Sequence, residues 1–397
     1  MLQRSFIPLP FVVTAPTVDT LRDDEAFART LSTAQERPMS PAEPALDTVV
    51  YVANAGDGTI GSYRLDRQHE ALVPLATIEA AENVMPLAVS PDRRYLYAAI
   101  RSDPLRVLSY RIEASTGELT ALGSGALYGS MAYIATDRTG RYLLAASYGG
   151  NLVSVSPIDD NGVAGDATQT LGTGSRAHAI QATPDNHHVI ATNLGDDQLA
   201  QFYFADGALA PNEPAVAETA AGSGPRHFVF SPSGRFVYVL GEFDATVTTF
   251  ALDADSGTLS RVGICQGLPE SHGLAPGMPR EEIPAGDDAP RIWAADLHIT
   301  PDGRYLYLSE RTSSTLSTLR ANPETGELHF VGNQPTVQQP RGFGIDPTGR
   351  YLVAAGELSD HLSLYRIESA SGGLTHLSDV ATGHKTNWVE IVALERP

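Results

Sequence analysis

The sequence predicts an all-β fold, a seven-bladed β-propeller with four antiparallel strands in each blade. The first observation behind this is a recurring phrase: a Pro or Asp turn, a Gly-Arg-Tyr-type corner, then a short β-rich run. It reads SPDRRYLYAA from Ser90, TDRTGRYLLAAS from Thr136 and TPDNHHVIATN from Thr183, then SPSGRFVYVLG from Ser231, TPDGRYLYLSE from Thr300 and DPTGRYLVAAG from Asp346. The second is spacing. The turn residues Pro91, Arg138, Pro184, Pro232, Pro301 and Pro347 follow one another at steps of 47, 46, 48, 69 and 46 residues, and a period in the forties with several strands per unit marks propeller blades. The third is a pair of incomplete copies at the ends. VVYVANA at 49–55 is the β-run without its preceding strand, and NWVEIVAL at 387–394 is a first strand without its follower. A ring must close, because an open end leaves an unpaired strand edge. The two termini are therefore expected to build one shared blade, which with six full copies makes seven; six or eight blades are the alternative counts.

Taken in order, residues 1–46 match none of the repeats. A helix is expected over 20–35, with Asp23, Asp24 and Glu25 in its first turn, followed by the linker PMSPAEPALD. The propeller occupies 47–397. Within each unit a hairpin phrase recurs: Thr-Gly-Glu-Leu after VLSYRIEAS (107–115), DSGTL at 255–259, ETGEL at 324–328 and SGGL at 371–374. The one long step exceeds its neighbours by about 22 residues, and the excess falls in QGLPESHGLAPGMPREEIPAGDDAPRI, 266–292. Rich in Gly, Pro and acid, this stretch is no strand. It is a surface loop or a lid over one face, and the lid is expected because it leads directly into a charged stretch.

Most of the 397 residues are used by the repeats, so one large domain is expected. The formal net charge of −20 argues against nucleic acid, which demands clustered Lys and Arg. Lys385 is the only lysine, and Cys265 alone forms neither an internal disulfide nor a Cys-rich zinc site. No run of eighteen apolar residues exists, so no transmembrane helix is expected. Prolines interrupt the short apolar run at the N-terminus, against a signal peptide. A cytoplasmic enzyme is expected, with no nucleic-acid or membrane partner, and monomer or dimer left open.

The first strand of each blade should line the propeller axis, where small apolar side chains normally sit. Six residues before each turn residue the copies read Met85, Ala132, His178, Arg226, Ala295 and Arg341, and one residue on Pro86, Tyr133, Ala179, His227, Asp296 and Gly342. Ten residues after it they read Arg101, Tyr148, Leu194, Glu242, Arg311 and Glu357. Charge thus gathers near one mouth of the channel. Burying it is costly unless it is paired or used. These residues either tie neighbouring blades together as ion pairs or form an anion-binding catalytic pocket, and the convergence of arginines, histidines and carboxylates favours the pocket. Arginine suits that work because its planar fork grips carboxylate or phosphate in a bidentate way. His298, two residues beyond Asp296, points to the same side and is a partner of that aspartate or a packed histidine. His187 and His188 replace Gly-Arg in one turn and are expected to be exposed. No serine has a nucleophile-elbow context, no phosphate-cradling Gly loop is present, and His and Asp lack tight metal-ligand spacing, so no metal is expected.

The stretches GSGPRHFVFSPSG, RIWAADLHITPDGRYLYLSERT and QPTVQQPRGFGIDPTGRYLVAAG closely resemble the bacterial propeller-type 6-phosphogluconolactonases, a family that includes the fungal 3-carboxy-cis,cis-muconate cyclase. The resemblance runs from about Thr48 to Leu394; residues 1–46 and much of 266–292 do not match the family pattern. It implies a seven-bladed propeller that opens or closes a lactone ring without a cofactor. It also implies a catalytic trio from the motifs AHAI, GPRH and LGEF, which fall on His178, Arg226 and Glu242, all three already marked by their place in the repeat. The arginine of PRGF is Arg341 and the aspartate of AAD is Asp296.

Lactone hydrolysis needs a base for water, a stabiliser for the tetrahedral oxyanion and an acid for the leaving alkoxide. On this reading Glu242 activates water, Arg226 holds the oxyanion, and His178 orients water or protonates the ring oxygen; His178 and Glu242 are also readable with their roles exchanged. Arg341 and Arg311 bind a remote anionic group, and Asp296, His227, Arg101, His298 and Glu357 complete the expected substrate-binding set. The expected activity is metal-independent hydrolysis of an anionic sugar lactone, 6-phospho-D-glucono-1,5-lactone first. Another aldonolactone, a sulfonated sugar lactone, a muconate-type cycloisomerisation and a non-enzymatic propeller scaffold are the alternatives.

Overall fold

The recurring phrase folds as the corner between the first and second strands of each blade. In the copy at Thr300 the hydroxyl accepts the N–H of Tyr305 at 3.1 Å, and Asp302 accepts the N–H of Arg304 at 3.0 Å. A side-chain oxygen at the head of the phrase therefore closes the turn. The corner also needs one left-handed residue. Glycine supplies it in four copies, with φ near +70° at Gly140, Gly234, Gly303 and Gly349, whereas Arg93 and Asn186 adopt φ of 60° and 63° in the other two.

The computed structural model describes residues 47–394, so the extension and helix expected within 1–46 lie outside the described residues. It contains seven four-stranded antiparallel sheets. Their inner strands are Val84–Val89, Met131–Thr136, Ala177–Ala182, Pro225–Phe230, Ala294–Ile299, Pro340–Ile345 and Thr386–Leu394, and each contacts the next around a closed ring. The last belongs to the composite blade. Thr386–Leu394 pairs antiparallel with Asp47–Asn54, and Thr59–Asp66 and Ala71–Glu79 complete the sheet. The expected sharing of one blade by the two ends is what the structure shows.

The two recurring phrases also explain each other. A tyrosine in the second strand is buried against the hairpin turn of the next blade: Tyr51 donates to the carbonyl of Gly117 at 2.6 Å, and Tyr307 to that of Gly372 at 2.7 Å. Between these contacts the blades pack through Val, Leu, Ile and Ala from facing sheets, such as Leu240, Val247, Leu297, Leu306 and Leu308. Burial of such side chains contributes about 1.5–3 kcal/mol each.

One feature was not visible in the repeat. Near its upper end every inner strand slips register against its neighbour: at 84–87, 131–133, 177–180, 225–228, 294–297 and 340–342, and at 386–388 in the composite blade. These are β-bulges, which bend a strand and re-aim its side chains. The freed amides find hydroxyls on the second strand, Ala179 N–H donating to Thr192 at 2.9 Å and Asp296 N–H to Ser309 at 3.0 Å. His178, Arg226 and Arg341 all sit in these bulges.

One expectation fails. His187 is exposed, but His188 is buried at 4% exposure, because it opens the strand His188–Asn193 and packs beside Tyr203 and against Gly257 of the neighbouring blade.

Candidate active site

A cavity of about 290 Å³ opens at one mouth of the channel. Its wall carries the bulge residues Ala132, His178, Arg226 and Arg341, and the residues that directly follow second strands, Arg101, Tyr148, Glu242 and Arg311. The rest comes from Phe243, Trp293 and the loop residues Met278, Pro279, Arg280 and Glu281. Six expected site residues thus come together on one surface: His178, Arg226, Glu242, Arg311, Arg341 and Arg101.

Glu242 is the hinge of the charge arrangement. Its carboxylate lies 2.5 Å from Arg311 Nη2 and 3.0 Å from Arg226 Nε, the second contact being an ion pair that is not aligned as a hydrogen bond. Burial alone would raise this carboxyl, but the charges of Arg311 and Arg226 outweigh it and hold it below the usual carboxylate range. Arg226 is held at Nε by the Glu242 charge and at Nη1 by two neighbours. Its Nη1 donates to the carbonyl of Ala295 and lies 3.1 Å from His227 Nε2, which leaves Nη2 as the corner of the fork without a partner among the described residues. Burial pulls this guanidinium down to about 9, so it remains a cation at neutral pH.

His178 is buried, its ring edge-on to Tyr148 at 6.0 Å and to His227 at 5.2 Å, and its Nδ1 has no hydrogen-bond partner among the described residues. Burial first, then the nearby Arg226 charge, push its pKa well below the ordinary histidine value, so it is a neutral imidazole at pH 7. The site therefore sets an uncharged proton acceptor beside a cation with an open fork.

Comparison with known proteins shows the family. The family model described as lactonase, 7-bladed beta-propeller, matches residues 49–391. The chain belongs to that lactonase family. The 6-phosphogluconolactonase of Pectobacterium carotovorum is 39% identical over 351 residues, covering 88% of this chain and 100% of that protein. The 6-phosphogluconolactonase of Serratia proteamaculans is 37% identical over 346 residues, covering 87% and 99%. Among solved structures, the periplasmic gluconolactonase of Pseudomonas aeruginosa superposes with a TM-score of 0.77 at 25% identity, covering 88% of this chain and 99% of that one. As a lactonase the protein is a carboxylic-ester hydrolase.

Four of the residues expected to touch substrate do not line the lactonase's cavity: Asp296, His227, His298 and Glu357. Three of them form a column along the channel. Asp296 Oδ1 lies 2.8 Å from His227 Nδ1, and its Oδ2 lies 3.2 Å from His298 Nε2 and accepts the N–H of Phe343 at 3.2 Å. Burial drives His227 down to about 4, whereas His298 is raised, because the Asp296 charge outweighs burial there. With neutral His227 donating Nδ1–H to Asp296, its Nε2 is left to accept from Arg226. Glu357 stands behind Arg341, 3.3 Å from Nη1. For His227 and Asp296 the physical reason is the bulge: of two adjacent residues in it, one side chain is aimed at the cavity and its neighbour along the channel. Among the described residues, no three His, Cys, Asp or Glu side chains group as a metal site. Sequence reasoning passed over Tyr148 and Ala132 as wall residues, although both stood in the aligned positions; it marked Met278 and Arg280 only as part of the expected lid and gave no signal for Trp293.

Proposed function

We propose that this lactonase hydrolyses 6-phospho-D-glucono-1,5-lactone to 6-phosphogluconate. The observation that carries the reading is the cavity wall: five arginines, Arg101, Arg226, Arg280, Arg311 and Arg341, against two carboxylates, Glu242 and Glu281. Glu281 is already engaged by Arg176 at 2.6 Å. That surplus of cations suits a dianionic phosphate better than an uncharged sugar lactone. The names of the curated relatives support the same substrate.

Water attacks the lactone carbonyl carbon and its proton passes to the neutral imidazole of His178. The free Nη2 of Arg226 holds the tetrahedral oxyanion. The bond from that carbon to the ring oxygen then breaks, and the imidazolium returns its proton to the leaving alkoxide, giving the open-chain acid. Glu242, clamped between two guanidinium groups that hold its carboxyl below the usual range, orients Arg226 and Arg311. Of the two assignments of base that the sequence left open, this favours His178. Asp296 and His227 act through Arg226, keeping its fork turned to the cavity. Loop 266–292 is the lid of this site, since it supplies four wall residues and is tied across the mouth by Arg176 to Glu281 and Glu282. A phosphorylated substrate does not cross membranes unaided, which supports a cytoplasmic location. Among the described residues, no helix is long and apolar enough to cross a membrane.

The test is ring opening of freshly made 6-phosphoglucono-1,5-lactone at neutral pH, measured against the spontaneous rate, with and without a chelator. Fast, chelator-insensitive hydrolysis is expected. Acceleration of glucono-1,5-lactone alone would reassign the substrate to an unphosphorylated aldonolactone.

A further inference from the structure

The five wall arginines are not equally occupied. Arg226 and Arg311 share Glu242, and Arg341 leans on Glu357. Arg101 is turned to Ser130 Oγ at 2.8 Å and to Met85 Sδ at 3.7 Å. Arg280 differs from all four. Its guanidinium lies 3.9 Å from the centroid of the Trp293 ring, with no carboxylate or carbonyl partner among the described residues. All of its N–H donors are therefore available at the rim of the cavity.

The local chain explains why Arg280 is presented this way. Arg280–Glu282 is a single 3-10 turn in the 266–292 loop. Its other two side chains are engaged by Arg176, at 2.6 Å to Glu281 and 3.1 Å to Glu282. The loop is also anchored at its base: Gly277 N–H donates to the carbonyl of Phe243 at 2.7 Å, and Ile292 N–H to that of Ala275 at 2.9 Å. The turn's two acids thus share one outside arginine, and its one base is left over, its guanidinium lying over an indole. Stacking on an aromatic face holds a guanidinium plane still without using its donors, which is the preparation a bidentate phosphate contact needs.

We propose that Arg280 is the specificity-determining residue of this site: carried on the loop and held by Trp293, it grips the phosphate of the substrate while the lactone ring lies at His178 and Arg226. This rests on the 6-phosphogluconolactone reading above. It assigns discrimination between phosphorylated and plain lactones to the loop and leaves the blades to the chemistry common to both.

The experiment compares the intact protein with Arg280→Ala and Arg280→Lys on two substrates, 6-phosphoglucono-1,5-lactone and glucono-1,5-lactone. Arg280 is exposed, so neither variant disturbs the core. For Arg280→Ala, KM for the phosphorylated lactone should rise about tenfold or more, the scale of one lost charge-assisted contact, with kcat nearly unchanged. Hydrolysis of glucono-1,5-lactone should be unaltered. Arg280→Lys should recover part of the loss, and inhibition by inorganic phosphate should weaken in parallel with KM. An unchanged KM, or equal losses on both substrates, would overturn the proposal and leave Arg280 as a loop-packing residue. If the unsubstituted protein fails to accelerate the phosphorylated lactone, the parent reading falls and this one with it, and that is seen before any variant is made.

Discussion

Ala132 and Arg226 occupy the same place in two blades: the second residue of an inner strand, inside the same bulge, on the wall of the same cavity. One carries a methyl group and the other a buried guanidinium at 1% exposure. Around the ring the position reads Met85, Ala132, His178, Arg226, Ala295, Arg341 and Asn387. The backbone aims a side chain at the axis seven times, and chemistry is placed on only some of the seven. Reactivity here is a matter of which residue type fills a slot that the fold supplies everywhere.

The largest effect should come from emptying the reactive slots. Arg226→Ala removes the proposed oxyanion donor and should lower kcat by about a hundredfold or more, read by steady-state ring opening; near-normal turnover would sink the assignment. His178→Gln keeps a polar side chain but no base, and should cost about a hundredfold. Because burial depresses the pKa of His178, the rate of the unmodified enzyme should be flat through pH 6.5 and fall only in more acid solution, as a pH–rate profile would show. A break at the ordinary histidine value would assign the base elsewhere. The quiet slots give the contrast: Met85→Leu, a change that nearly conserves volume, should move kcat by no more than about twofold.

The smallest effect lies in the opposite half of the channel. Glu390, on the same strand as Asn387, is pushed up to about 7 by burial, although Trp388 Nε1–H donates to it at 2.9 Å. A carboxyl raised in the folded state adds stability that is complete below its unfolded pKa, about 4.3, and is lost as pH rises through about 7. Glu390→Gln should therefore raise the melting temperature clearly more at pH 8 than at pH 5, a stability difference of about 2 kcal/mol between the two. Equal shifts at both pH values would point to packing instead of charge.

The ring, its blade count and the shared blade were legible because each rests on a periodic signal: a turn closed by Ser, Thr or Asp, a left-handed residue, and a tyrosine that meets the next hairpin. The charged mouth was legible for the same reason, since aligned positions in the repeat are aligned positions around the axis. Three things were not. A bulge has no residue signature, so the sequence could not separate Arg226, which faces the cavity, from His227, which faces Asp296. The burial of His188 follows from Gly257 in the next blade, about seventy residues away. The place of Arg280 lies in a segment without a period, where only the ion pairs to Arg176 and the stacking on Trp293 determine which way the side chain turns.

The shared blade has a consequence for the order in which the molecule is assembled. Its seam pairs Thr48 with Ala393, and bringing together chain ends that far apart costs about 5 kcal/mol of entropy beyond a constant. That deficit is offset when one nine-residue strand, Thr386–Leu394, docks. The same strand brings Asn387 against Met85, 3.3 Å from its sulfur, and sets Trp388 edge-on to His227. The last stitch of the ring and the last support of the cavity mouth are thus one event, so a chain whose seam is open has an unfinished cavity, and turnover should report that the circle has closed.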